Sequence, residues 1–170
     1  MASILKVNTI QDATNSNTAL SVDSSGRVTL PQRIAFMGKK TDTSTLSASN
    51  SSNVSFNHTD LSHASWDGTT FTAPIAGVYR FVVNGHKQSL DANPIELGIF
   101  KNGSQLLTGM HNNNSNLGYG ATPHVIVMDD ASAGDYYEPY GHGYSASTQI
   151  VIDTTDQGGC AHFKGYRIGS

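Results

Sequence analysis

The chain has 170 residues, enough for one medium domain with a core of its own and a short appendage. Charged residues are 14% of the total and the formal net charge is -3, with Lys39-Lys40 the only adjacent basic pair, so nucleic-acid recognition through a basic face is disfavoured. The single cysteine, Cys160, excludes an intrachain disulfide and a cysteine-built zinc site, and no apolar run approaches the ~20 residues of a membrane-spanning helix.

Residues 1–32 differ from the rest of the chain. Ile4, Leu5, Val7 and Ile10 form a short apolar segment, and Asn15 to Asn17 make a polar turn. Leu20 and Val22 alternate with polar residues. Asp23-Ser24-Ser25-Gly26 is a turn signal, because Gly supplies a positive φ and Asp or Ser bonds the nearby backbone. Val28 and Leu30 alternate again until Pro31 stops the run. The pattern predicts three short strands, which cannot bury their faces alone and need a scaffold or copies of themselves. The start, MASILKVNTI, lacks the basic and long apolar regions of a secretory signal, which predicts synthesis in a cytosol. On that basis the N-x-S/T sequons at Asn50, Asn53, Asn57, Asn102 and Asn113 read as accidents of composition, and Cys160 as a small buried hydrophobe.

From Arg33 onward, strand signals recur at regular spacing, and the domain boundary falls near Pro31. Residues 34–37 read as a strand, and 41–52 as an exposed Ser/Thr-rich connection. Val54 and Phe56 alternate with polar neighbours, and Trp66-Asp67-Gly68-Thr69 turns the chain into Phe71. Residues 78–83 are dense in β-branched and aromatic residues. Ile95, Leu97 and Ile99 alternate cleanly into Lys101-Asn102-Gly103, where Asn-Gly tolerates the two positive φ angles of a type I′ hairpin turn. Residues 105–108 return, 111–120 (HNNNSNLGYG) form a polar loop, and Val125 and Val127 mark another strand. Ala133-Gly134-Asp135 is a turn before 136–140. Ile150 and Ile152 alternate, and 161–168 closes the domain. Eight to ten short strands at this spacing predict a sandwich or jelly roll.

Four motifs in register carry a resemblance. FTAPIAGVYRF at 71–81, ELGIFKNG at 96–103, AGDYYEPY at 133–140 and AHFKGYRI at 161–168 resemble the strand motifs of the C1q/TNF-like family, and IAFMG at 34–38 sits where that family has its first strand. The resemblance implies an all-β fold, a ten-stranded C1q/TNF-like jelly-roll sandwich forming a trimer over residues 33–170, preceded by a short N-terminal β-strand anchor segment over 1–32. Phe163 and Ile168 would fill the sheet opposite the strand of 78–83. The leader, LKVNTIQD with ALSVDSSGRVTLPQ, resembles segments that precede C1q-like heads in structural proteins of marine bacteriophages, cyanophages in particular.

Candidate sites are set by exposed chemistry. Tyr140, His142 and Tyr144 lie in the densest aromatic stretch, and Asn112, Asn113 and Asn114 have amides able to hydrogen-bond sugars. Ile4, Leu5, Val7 and Ile10 are the anchor candidates. Seven histidines include His58 and His63 near Asp60, but none forms a metal-binding motif. The resemblance allows Ca²⁺ near a trimer axis, with Asp129-Asp130 and the acidic positions Asp153 and Asp156 as the available carboxylates. No nucleophile-elbow, Walker or dinucleotide motif is present, so no enzyme and no cofactor is expected. The expected role is a non-enzymatic trimeric virion surface protein, either a tail-fibre or receptor-binding tip touching host glycan or a capsid decoration. Its partners would be its own copies and other virion proteins. A free trimeric carbohydrate-binding module is the alternative.

Overall fold

The computed structural model describes residues 7–14, 16, 18–29, 33–40, 44–46, 51–87, 94–111, 123–144, 149–151 and 161–169. Ile4, Leu5, Pro31, Asn112, Asn113, Asn114, Asp153, Asp156 and Cys160 lie outside the described residues. The chain divides into two compact units, 1–34 and 35–170.

The first unit is an antiparallel meander of β1 (Thr9–Gln11), β2 (Thr18–Val22) and β3 (Val28–Thr29). The turn between β2 and β3 is built by Asp23. Its carboxylate accepts from the backbone N–H of Ser25 (2.9 Å) and Arg27 (3.0 Å) and from Arg27 Nε (2.7 Å). The backbone and side-chain bonds from Arg27 hold the Asp23 carboxyl below its ordinary range. Gly26 takes the positive φ, 78°, that closes the turn.

The second unit contains β4 (Ala35–Lys39), β5 (Ser44–Thr45), β6 (Ser52–Asn53), β7 (His58–Leu61), β8 (Phe71–Thr72), β9 (Gly77–Asn84) and β10 (His86–Lys87). It continues with β11 (Ile95–Lys101), β12 (Ser104–His111), β13 (His124–Ala131), β14 (Tyr136–Gly143), β15 (Gln149–Val151) and β16 (His162–Gly169). Two five-stranded sheets form the sandwich. One runs β13-β9-β16-β4-β7; the other runs β12-β11-β14-β6, with β8 also paired to β14. A smaller sheet, β10-β15-β5, repeats the neighbour order β9-β16-β4 and prolongs that sheet: His86 pairs with Val151, and Asn84 with His162.

Alternation sets the core. Along β9, Tyr79, Phe81 and Val83 are fully buried while Val78, Arg80 and Val82 are not. Aromatic rings fill the space between the sheets. Phe36 stacks on Trp66 (4.8 Å) and Phe71 (4.6 Å), and Phe81 stacks on Tyr137 (4.2 Å). Packing is tight enough to require glycine at 165, where a Cβ would lie 2.6 Å from the Phe81 ring and 2.7 Å from the Phe36 ring. The Asn102-Gly103 turn has φ of 52° and 76°, the two positive angles its sequence predicts.

Two expectations need correction. Phe163 is fully buried, but β16 pairs directly with β9, so it adds to the same sheet rather than the opposite one; Ile168 is half exposed near the end of β16. Within 41–52, Leu46 is buried beside the two-residue strand β5, because a lone apolar side chain in a polar run can still cap a core.

Candidate functional site

Register places a second set of side chains on the outward face of the β12-β11-β14-β6 sheet. Tyr140 pairs with Gly98 and Asn53, Glu138 with Phe100, and His142 with Glu96. Because Ile95, Leu97 and Ile99 point inward, Glu96, Gly98 and Phe100 must point out. Residue 98 has no side chain to raise the surface. A Cβ there would meet Thr108 Cγ2 at 2.7 Å, and the Phe100 ring lies 3.4 Å away. Phe100 and Tyr140 close over this low point with ring centroids 4.0 Å apart and 21° between planes.

A second stack lies further along the same strand. His142 and Tyr144 are 4.5 Å apart at 29°. The Tyr144 hydroxyl donates to Glu96 Oε2 (3.1 Å), which is 3.7 Å from His142 Nδ1. His142 Nε2 is shielded from solvent and has no hydrogen-bond partner among the described residues. Glu138 accepts from Asn53 Nδ2 (3.2 Å) and Thr70 Oγ1 (3.4 Å). The outcome is two aromatic stacks alternating with two carboxylates that neutral donors hold in place. Partial burial raises the Tyr140 phenol pKa, with the Glu138 and Tyr136 charges adding to it; burial and the Glu96 bond do the same for Tyr144. Both hydroxyls therefore stay protonated and remain donors at neutral pH.

The outward face of the other sheet is aliphatic and cationic. One row runs Ile126, Val82, Lys164, Met37 and Leu61 across β13, β9, β16, β4 and β7. The next runs Met128, Arg80, Tyr166 and Ala35. Met128 is 67% exposed, and Ile126 and Leu61 are each about half exposed, an unusual amount of aliphatic side chain for a surface to leave in water. Arg80 Nη1 donates to the Tyr166 hydroxyl (3.0 Å), which orients both groups across the sheet.

A polar clasp joins the two sheets at one end. Lys101 Nζ of β11 lies 2.7 Å from Asp129 Oδ2 of β13 and 3.0 Å from Asp135 Oδ2. The Tyr137 hydroxyl donates to the same Asp129 oxygen (2.5 Å), and Asn102 Nδ2 donates to Asp135 Oδ1 (2.8 Å). The Asn102 and Lys101 bonds, with one from the Ser132 backbone, hold the Asp135 carboxyl at about 2. Burial, then Asp129, drives the Tyr137 phenol far above its usual range, and Asp129 raises Lys101.

These positions locate the sequence candidates. Tyr140, His142 and Tyr144 come together on the aromatic face. Asp129, a candidate Ca²⁺ carboxylate, is engaged by an ammonium and a phenol. His58 and Asp60 pair with each other (3.2 Å), and Asp60 also with Lys39 (2.6 Å); among the described residues no three His, Cys, Asp or Glu stand together as a metal site. The sequence reading missed Glu96, Phe100, Glu138 and the row of Ile126 and Met128. The signal was present, since a strand whose odd positions point inward must expose the bulky residues between them.

No family model and no curated protein matches the chain by sequence. Solved structures do match by shape. The globular domain of zebrafish complement 1qA protein aligns with a TM-score of 0.58 at 16% identity, over 79% of this chain and 96% of that domain. Murine APRIL aligns with a TM-score of 0.60 at 9% identity, over 81% of this chain and all of its own length. Eiger TNF from S. frugiperda aligns with a TM-score of 0.58 at 9% identity, over 81% of this chain and 94% of its own. At such identities these likenesses establish the fold, a C1q/TNF-like jelly roll, and nothing narrower.

Proposed function

We propose that the chain is a non-enzymatic, homotrimeric surface head of a bacteriophage virion, held on the particle through residues 1–32. The observation that carries the self-association is the outward row of Ile126, Val82, Met37 and Leu61 with Met128 beside it. Such a row is stabilised when copies bury it around a common axis, with Lys164 and Arg80 extending their stems over apolar surface. The C1q/TNF-like resemblance implies the same stoichiometry. The marine-phage likeness of the leader supports the virion role, and the half-buried aromatic stacks on the outward face support contact with a host glycan at a fibre tip over capsid decoration. Light scattering of the full chain at micromolar concentration is expected to give three times the monomer mass; a monomer would refute the trimer. Localisation by cryo-EM on purified particles tests the virion role, and absence from the particles would refute it.

The aromatic face also favours a second reading, a free trimeric lectin. Stacked rings beside fixed carboxylates and amides are what a sugar's apolar face and hydroxyls require. A glycan array probed with the full-length trimer separates this reading from a purely structural role, and silence across the array would count against both glycan readings.

A further inference from the structure

The first unit is amphipathic in a way its size cannot satisfy. Ile10 pairs with Leu20, and Val22 pairs with Val28. Residues directly opposite each other in an antiparallel ladder share a face, and so do residues two apart on one strand. Ile10, Leu20, Val22 and Val28 therefore form one continuous patch across β1, β2 and β3. Thr9 pairs with Ser21 on the other face. The strands are only 3, 5 and 2 residues long, and none of the four apolar side chains is buried; Ile10 is 48% exposed and Val28 59%. A three-stranded sheet this short does not hold its shape in water with its apolar face bare.

We infer that this face closes on the same face of two further copies of the chain, so that the leader forms a three-sided β stalk with an apolar centre. The charge pattern selects this occupant. The patch contains no ionisable side chain, and one polar neighbour is Asn8, whose backbone carbonyl accepts from the Val22 N–H (2.8 Å). Three of the unit's described charges sit at its turns, where Arg27 already pairs with Asp23 (2.7 Å) and Asp12 accepts from the Thr14 N–H (2.9 Å), and the fourth, Arg33, follows β3. A face without charge meets its own image about an axis with no like-charge conflict. It offers no charge by which to select a different protein. The inference rests on the trimeric reading, because a trimeric head holds three leaders at the high effective concentration that tethering provides. Attachment to a larger assembly would then use the hydroxyl face and the strand edges of residues 1–32.

The test is thiol protection in the full-length protein. In a Cys160→Ser background, Ile10→Cys and Val28→Cys probe the apolar face and Thr9→Cys probes the hydroxyl face. Thr9 and Ile10 are both exposed in the single chain, so a solvated leader would label equally at all three sites. A charged, water-soluble maleimide is expected to react roughly tenfold more slowly at 10 and 28 than at 9. A short bismaleimide is expected to link chain to chain at 28. Equal labelling in a protein that light scattering shows to be trimeric would overturn the stalk alone and leave the trimeric head standing. Protection that develops only on adding other particle proteins would overturn it in favour of a heterologous partner. A monomeric mass would remove the stalk and the trimer together.

Discussion

The two outward faces of the sandwich share a core and differ in almost everything else. The β13-β9-β16-β4-β7 sheet presents Ile126, Met128, Val82, Met37 and Leu61 with Arg80 and Lys164 among them. The β12-β11-β14-β6 sheet presents Phe100, Tyr140 and His142, with Tyr144 just past the strand, flanked by Glu96 and Glu138. Aliphatic side chains gain by burial wherever they find cover, with little demand on geometry. Stacked rings beside oriented carboxylates gain only from a ligand that matches their positions. The difference fits the two roles proposed above, non-directional assembly for one side and selective contact for the other.

The largest effect comes from removing what the faces share. Phe81→Ala deletes a fully buried ring that stacks on Tyr137 and backs both sheets. It is expected to cost about 3–5 kcal/mol and lower the thermal midpoint by roughly 10 °C. Both association and ligand binding should weaken together. A variant that lost only one of them would show that the faces do not depend on a common core.

Next comes a substitution that should separate them. Met128→Asp puts a charge in the aliphatic row. Each copy gives up about 1.5–3 kcal/mol of burial and gains a desolvated carboxylate, so light scattering should report monomers at micromolar concentration. Tyr140→Asp, on the other sheet, should leave the trimer mass unchanged. Dissociation by Tyr140→Asp but not by Met128→Asp would reverse the assignment of the faces.

A smaller effect concerns the stack itself. Phe100→Ala removes the ring that lies over Gly98 and supports Tyr140. The stack contributes about 0.5–1.5 kcal/mol, so the midpoint should fall by only a few degrees. Affinity for a glycan identified on an array should fall about tenfold. Unchanged affinity would mean that the aromatic face is not the contact surface.

Much of the fold was legible because several sequence signals agreed. The alternation of Ile95, Leu97 and Ile99, the Asn102-Gly103 turn and the spacing of strand motifs each point to the same sheet. Placement of β16 was not legible locally: Phe163 reads as a core residue on either sheet, and only long-range pairing puts it beside β9. The site was half legible. Tyr140, His142 and Tyr144 stand out as an aromatic run, whereas Phe100 and Glu96 sit far earlier in the chain and join them only through the β11–β14 register. The clasp was hidden for the same reason, since Lys101, Asp129 and Asp135 look like ordinary turn and strand-end charges until the two turns meet.

That clasp supplies the smallest prediction, and it bears on how the faces are held together. Lys101 of β11 reaches Asp129 of β13, so one ammonium bridges the sheet of the aromatic face and the sheet of the aliphatic one. Asp135 completes the bridge. Its carboxyl ionises near 3.8 in the unfolded chain and at about 2 in the folded one. A depressed folded value means that the charged form is the stabilised form, so the contribution is complete above 3.8 and disappears as pH falls through about 2. Thermal midpoints measured across that window should therefore drop more steeply for the native chain than for Asp135→Asn, which cannot titrate there. Lys101→Met leaves Asp129 and Asp135 facing each other without their shared cation, so it should lower the midpoint near neutral pH and regain part of the loss on acidification. Parallel slopes for all three proteins would show that the bridge carries no stability and that the aromatic core alone holds the two sheets in place.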